Sequence, residues 1–89
     1  MQKAELTIIN KLGLHARAAA KLVHTAAQFR CEVLVARQGR EVNAKSIMGV
    51  MMLAASRGSV ITVTTDGDDE EEALAAVRTL VEGRFGEKK

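Results

Sequence analysis

The 89-residue chain is expected to fold as an α+β two-layer sandwich, with three helices covering one face of a four-stranded antiparallel sheet in the order βαββαβα. Three observations predict this. Alternating or β-branched strand patterns recur four times, segments of helical apolar spacing fall between and after them, and no Pro or Ser/Gly-rich linker divides the chain. Residues 1–89 are therefore expected to form a single domain. A chain of this size buries only about 60–65% of the surface that its unfolded form exposes.

Ala4, Leu6 and Ile8 alternate with Lys3, Glu5 and Thr7, the period of a half-buried strand. From about Ala16 to Gln28, Ala19, Leu22, Val23, Ala26 and Ala27 recur at helical spacing, and Arg17, Lys21 and His24 stay outside. Cys31 to Ala36 and Arg40 to Asn43 read as a hairpin turning at Gly39. Ser46 precedes a short apolar run, Ile47 to Ala54, whose first N–H groups its hydroxyl would cap; Gly49 weakens that helix. Ser59 to Thr65 is the most β-branched run and reads as a central strand. The last helix is expected to open with Asp68 as N-cap and Glu71 three residues on, to bury Leu74, Val77, Leu80 and Val81, and to stop at Gly83.

Composition removes several function classes. Aromatic residues are 2%, only Phe29 and Phe85, which disfavours readers of single-stranded nucleic acid that stack bases on aromatic rings. Cys31 stands alone and makes no internal disulfide; it reads as a small buried hydrophobe, and no Cys/His spacing suits a metal. No P-loop or dinucleotide fingerprint is present, so no cofactor and no independent catalysis are expected. The chain lacks a long apolar run, and the expectation is a cytoplasmic monomer that inserts into no membrane. Charge is polarised: nine basic and three acidic residues in 1–57, four and eight in 58–89. A basic front half suits acidic or phosphorylated partners.

His15 lies in Gly13-Leu14-His15-Ala16-Arg17, where a glycine loop meets a helix start. There the imidazole neighbours unpaired N–H groups and the positive end of the helix dipole, which favour a neutral ring and would stabilise a phosphoryl group on it. Arg17, in the first turn, offers charge-assisted hydrogen bonds to phosphate oxygens. The plainer reading leaves His15 an exposed helix-start residue and Arg17 a solvated charge. Ser46 reads as a structural cap or, beside Lys45, as a phosphorylation site. Ile47, Met48, Met51 and Met52 are too many large apolar side chains for one stripe of so short a helix, so they divide between core and an adaptable docking patch. His24 reads as solvated surface, and the Gly83-to-Gly86 GxxG match lacks the second helix of a nucleic-acid clamp.

Gly-Leu-His-Ala-Arg at 13–17, Ala-Ala-Lys-Leu-Val at 19–23 and Asn-Ala-Lys-Ser-Ile-Met-Gly-Val-Met at 43–51 resemble the HPr family, the histidine-containing phosphocarriers of the phosphoenolpyruvate-dependent phosphotransferase system. The resemblance covers essentially the whole chain. It implies an open-faced β-sandwich in which Nδ1 of His15 takes a phosphoryl group from enzyme I and passes it to enzyme IIA proteins, with Arg17 assisting. It further implies that Ser46 is the target of an HPr kinase/phosphorylase and that Ile47 and Met48 dock partners. A nitrogen-related branch carrier with the same His15 chemistry is the alternative, and a small nucleic-acid-binding module a distant one. Ala18 departs from the Pro that usually follows the active-site arginine, which changes the first helical turn but removes no group needed for transfer.

Overall fold

Leu6 and Ile8 turn inward at the start of the chain, and the computed structural model, which describes residues 1–89, builds the sheet around them. The elements are β1 (Gln2–Thr7), α1 (Ala16–Ala27), β2 (Glu32–Arg37), β3 (Arg40–Asn43), α2 (Ile47–Met52), β4 (Val60–Asp66) and α3 (Glu70–Glu82), followed by a 3-10 turn at Arg84–Gly86. The strand order is β1-β4-β2-β3, antiparallel throughout. β4 is thus central, as its β-branched run predicts. Leu6 opposes Ile61, and Val35 opposes Val63, so the inward residues of three strands form one apolar layer.

The helices lie on that layer. α3 packs over β1 and β4, and α1 packs against α2 and α3. Twenty-one buried residues make one core, with Phe85, Ile8, Leu22 and Ile61 the largest of its fully buried side chains. Outward-facing Lys3, Glu5 and Thr7 leave the other face of the sheet open to water. The β2–β3 hairpin closes through Gln38 at φ 50° and Gly39 at φ 81°, the pair of positive values that a two-residue type I′ turn requires.

Several local expectations are corrected. On α1, Ala27 is exposed and Val23 only half-buried, while Ala18, left out of the predicted face, is completely buried. The N-cap of α3 is Asp69, not Asp68, and its carboxylate does not cap: it accepts hydrogen bonds from the N–H groups of Arg30 and Cys31, each at 2.9 Å. Asp69 is thereby spent on joining the α1–β2 turn to α3. The reach-back bond comes from Glu70, whose carboxylate accepts from Gly67 N–H at 3.1 Å, rather than from Glu71. Leu80 is half-buried, and Ala73 takes a core place beside Leu74, Val77 and Val81. α2 ends at Met52, and Ala54 beyond it adopts φ 50°.

Gly83 does end α3, though with φ −86°. The left-handed residues come next: Arg84 at φ 57°, Phe85 at φ 54° and Gly86 at φ 77°. This turn reverses the chain and drives the Phe85 ring into the core, so the GxxG segment serves to bend the chain back.

Candidate functional site

The loop between β1 and α1 is shaped by two residues. Asn10 is fully buried; its Nδ2 donates to Gly13 O at 2.8 Å, and Gly13 N–H returns a bond to Asn10 O at 3.2 Å. Gly13 sits at φ 67° and so close to the 55–56 loop that a Cβ there would lie 2.5 Å from Ala55 O. Leu14 N–H donates to that same carbonyl at 2.8 Å, and its side chain is buried. The chain is therefore pinned on both sides immediately before His15.

His15 is the N-cap residue of α1, extended at φ −75° and ψ −179°, and its side chain makes no capping bond. The ring is left for other partners. The N–H groups of Ala16, Arg17 and Ala18 have no acceptor within the protein, and the first two belong to residues that line one hollow with His15, at the positive end of a 12-residue helix. His15, Ala16, Arg17, Lys11, Leu12, Glu87 and Lys89 line an open hollow of about 670 Å³. A second hollow of about 420 Å³ adjoins it, sharing Lys11 and Lys89 and adding Ile9, Arg57, Arg84 and Lys88. None of these Lys or Arg side chains is in an ion pair with a carboxylate, so the surface around His15 is positively charged and suited to a phosphoryl group.

Glu87 is the one acidic side chain lining the hollow, and sequence reasoning missed it. One oxygen accepts from Asn10 Nδ2 at 3.0 Å and the other contacts His15 Nε2. Hydrogen bonding from Asn10, then from His15, holds the Glu87 carboxyl below its usual range against the opposing effect of burial. The helix dipole alone led to a picture of a ring facing only positive potential; the structure adds an anion on its far nitrogen. Local pattern could not have found Glu87, because 72 residues separate it from His15.

Ser46 caps α2 as expected: its hydroxyl accepts from Gly49 N–H at 3.2 Å. Lys45 is not beside that hydroxyl as a free cation, since its Nζ donates to the carbonyls of Phe29 at 2.8 Å and Cys31 at 2.9 Å. At the other end of α2, Arg37 donates to Leu53 O at 3.1 Å and Arg40 to Met52 O at 3.4 Å, which satisfies carbonyls a six-residue helix leaves bare. Val50 and Leu53 are buried, whereas Ile47, Met48, Met51 and Met52 are all exposed, Met48 at 77%. The four form an apolar patch on the helix that packs against α1.

Other candidates recede. His24 is exposed, away from His15 along α1. Cys31 is buried, and that burial, with its contact to Asp69, pushes its thiol up, away from the reactive thiolate. Phe29 is half-buried and Phe85 fully buried, so neither ring presents a stacking face. No helix is long and apolar enough to cross a membrane.

Comparison with known proteins gives the family. A family model described as "PTS HPr component phosphorylation site" matches residues 2–83. The phosphocarrier protein HPr of Cupriavidus necator is 59% identical over 87 residues, covering 98% of each chain. The crystal structure of HPr-C-His from Thermoanaerobacter tengcongensis superposes with a TM-score of 0.97 at 47% identity, covering 100% of both chains. A second structure from that organism, described as an HPr dimer, gives a TM-score of 0.79 at 48% identity, covering 98% of this chain and 100% of the other. The chain therefore belongs to the HPr family, the phosphocarriers of the phosphotransferase system, and is a carrier rather than an enzyme.

Proposed function

We propose that the chain accepts a phosphoryl group on Nδ1 of His15 from enzyme I and delivers it to enzyme IIA proteins. The observation that carries this reading is the His15 ring at the start of α1, whose Nδ1 makes no hydrogen bond, beside Arg17 and the unpaired N–H groups of Ala16 and Arg17 in a cationic hollow. The Nδ1 lone pair attacks phosphorus, the N–P bond of the donor's phosphohistidine breaks, and its electron pair returns to the donor ring. Helix N–H groups and Arg17 stabilise charge on the transferring group, and docking supplies the alignment. The hollow is open, as a carrier serving two partners requires. The chain acts as a monomer within one domain and needs no cofactor.

Ser46 is the regulatory position, phosphorylated by an HPr kinase/phosphorylase. A phosphate there adds a charge of about −1.5 to −2 next to Ile47, Met48, Met51 and Met52 and weakens docking to enzyme I by desolvation and repulsion. The exposure of those four side chains supports their role as the docking patch.

The test is intact mass after incubation with enzyme I and phosphoenolpyruvate, for the wild type and His15→Ala, before and after brief acid treatment. A single acid-labile phosphate absent from the variant is the expected result. A folded wild type that stays unphosphorylated by an active enzyme I of the sugar system, but accepts phosphate from a nitrogen-branch donor, would move the protein to that branch. Failure with both donors refutes the carrier reading.

A further inference from the structure

We propose that Glu87 is a positioning residue for phosphoryl transfer: its carboxylate holds His15 in the tautomer that carries the proton on Nε2, leaving the Nδ1 lone pair free for phosphorus. The inference rests on the carrier reading above and deepens it.

For a neutral His15 ring, the hydrogen bonding leaves one consistent assignment of protons. Asn10 Nδ2 lies 2.8 Å from Gly13 O and 3.0 Å from Glu87 Oε1, both acceptors; the reversed amide would set its oxygen against two oxygens. Asn10 therefore donates to Glu87 and fixes the rotation of the carboxylate. An ionised carboxylate accepts only, so the second oxygen requires a donor, and the atom facing it is His15 Nε2. A neutral imidazole has one N–H. With that proton on Nε2, Nδ1 is the basic nitrogen.

The chain around Glu87 is built to hold it there. Arg84, Phe85 and Gly86 all adopt positive φ, and the Phe85 ring is fully buried two residues before Glu87. Lys21 of α1 donates to Phe85 O at 2.6 Å, and Glu87 N–H donates to Arg84 O at 2.9 Å. Left-handed backbone at two successive non-glycine residues is unfavourable for L-amino acids and persists only where surrounding packing enforces it.

The same proton matters in both directions of transfer. On acceptance, the N–P bond forms at Nδ1 while the donor's N–P bond breaks; Nε2–H stays in place, and no proton leaves the ring. The phosphorylated ring is then cationic, and Glu87 lies beside that charge. On delivery, the P–N bond breaks to leave a neutral imidazole rather than an imidazolide anion. Glu87 thus makes Nδ1 a nucleophile on arrival and a good leaving group on departure, with a single hydrogen bond.

The test is Glu87→Gln. An amide has one acceptor oxygen, so in the variant an NH2 group must face either Asn10 Nδ2 or His15 Nε2, and the two-sided match is lost. The 15N shifts of the His15 ring nitrogens in the full-length protein, read in the neutral ring without enzyme I, report the tautomer directly. The expected result is a wild type with Nε2–H dominant and a variant with that tautomer ratio reduced about tenfold, the scale of one charge-assisted hydrogen bond. Amide spectra should otherwise coincide. The maximal rate of phosphorylation by enzyme I should fall in proportion to the Nε2–H fraction that the spectra report, about twofold if the ratio drops from 10:1 to 1:1, with a much smaller change in the half-saturating concentration. A wild type protonated on Nδ1, a tautomer ratio unmoved by the substitution, or a maximal rate that fails to follow the measured Nε2–H fraction each overturns the proposal. A wild type that takes no phosphate at all overturns the carrier reading, and the NMR result distinguishes that failure from this one.

Discussion

Replacing Gly13 with Ala tests whether the loop before His15 is held by steric contact or only by backbone conformation. Two costs apply. An L-residue in the left-handed region costs about 1–2 kcal/mol, and an extra carbon forced into packed surroundings costs typically about 1–3 kcal/mol. The new Cβ would lie 2.5 Å from Ala55 O and 2.8 Å from Ser56 Cα, both backbone atoms that cannot rotate away. Both costs therefore fall on Gly13→Ala, a sum of about 2–5 kcal/mol. Gly39 is the control: it has φ 81° but nothing within 4 Å of its would-be Cβ, so only the first cost applies. An 89-residue domain has a total stability of about 4–13 kcal/mol. With a urea m-value of about 1 kcal/mol/M, the midpoint should drop by about 1–2 M for Gly39→Ala and by about 2–5 M for Gly13→Ala. Urea unfolding of the two variants beside the wild type measures this. Equal midpoints for the two variants would refute the steric argument and leave the 55–56 loop no part in shaping the site.

Two further predictions concern the cap and the carboxylates. Ser46→Ala removes the acceptor of Gly49 N–H and should lower stability by about 1 kcal/mol, whereas Ser46→Asp, an equally good cap, should keep stability yet slow phosphorylation of His15 by enzyme I; calorimetry and a transfer assay separate the two effects. Asp69 is held below its ordinary range, first by the Arg30 N–H and with further help from Cys31, and Glu87 by Asn10 and His15. A depressed folded-state value means stability that is present above the unfolded-state value and lost as pH falls through the folded one. Acid titration of the fold should show that loss below about pH 4, and Asp69→Asn should flatten the acid limb; an unchanged limb would count against it.

The elements were legible because each carries its own period. Alternation marked β1, β-branching marked β4, and the order of all seven elements followed from them. His15, Arg17 and Ser46 were readable from their position at helix starts, which is a local property. Most of the errors trace to contacts that local pattern does not specify, several of them with partners distant in sequence. Asp68 and Glu71 fit a capping box on paper, but Asp69 is drawn to the Arg30 and Cys31 amides and Glu70 takes the reach-back bond. Ala18 was left out of the predicted face of α1 and is nonetheless completely buried. Lys45 looked like a cation beside Ser46 until two carbonyls of the α1–β2 turn claimed it. Glu87 and Asn10 gave no signal, because neither belongs to a periodic segment and their contact joins segments far apart in the chain.

That joining has a consequence for how the molecule is made. Glu87 meets Asn10 across 77 positions and His15 across 72, and β1 waits for β4 before it has any neighbour in the sheet. At about 5–20 residues per second, His15 leaves the ribosome roughly 4–14 seconds ahead of Glu87. Throughout that interval the histidine sits on a chain with no complete sheet to anchor its loop and no carboxylate at its far nitrogen. On the proposed roles of His15 and Glu87, competence to carry phosphate would arrive only with the segment around Glu87, and a nascent chain still short of it would not compete with finished molecules for the donor.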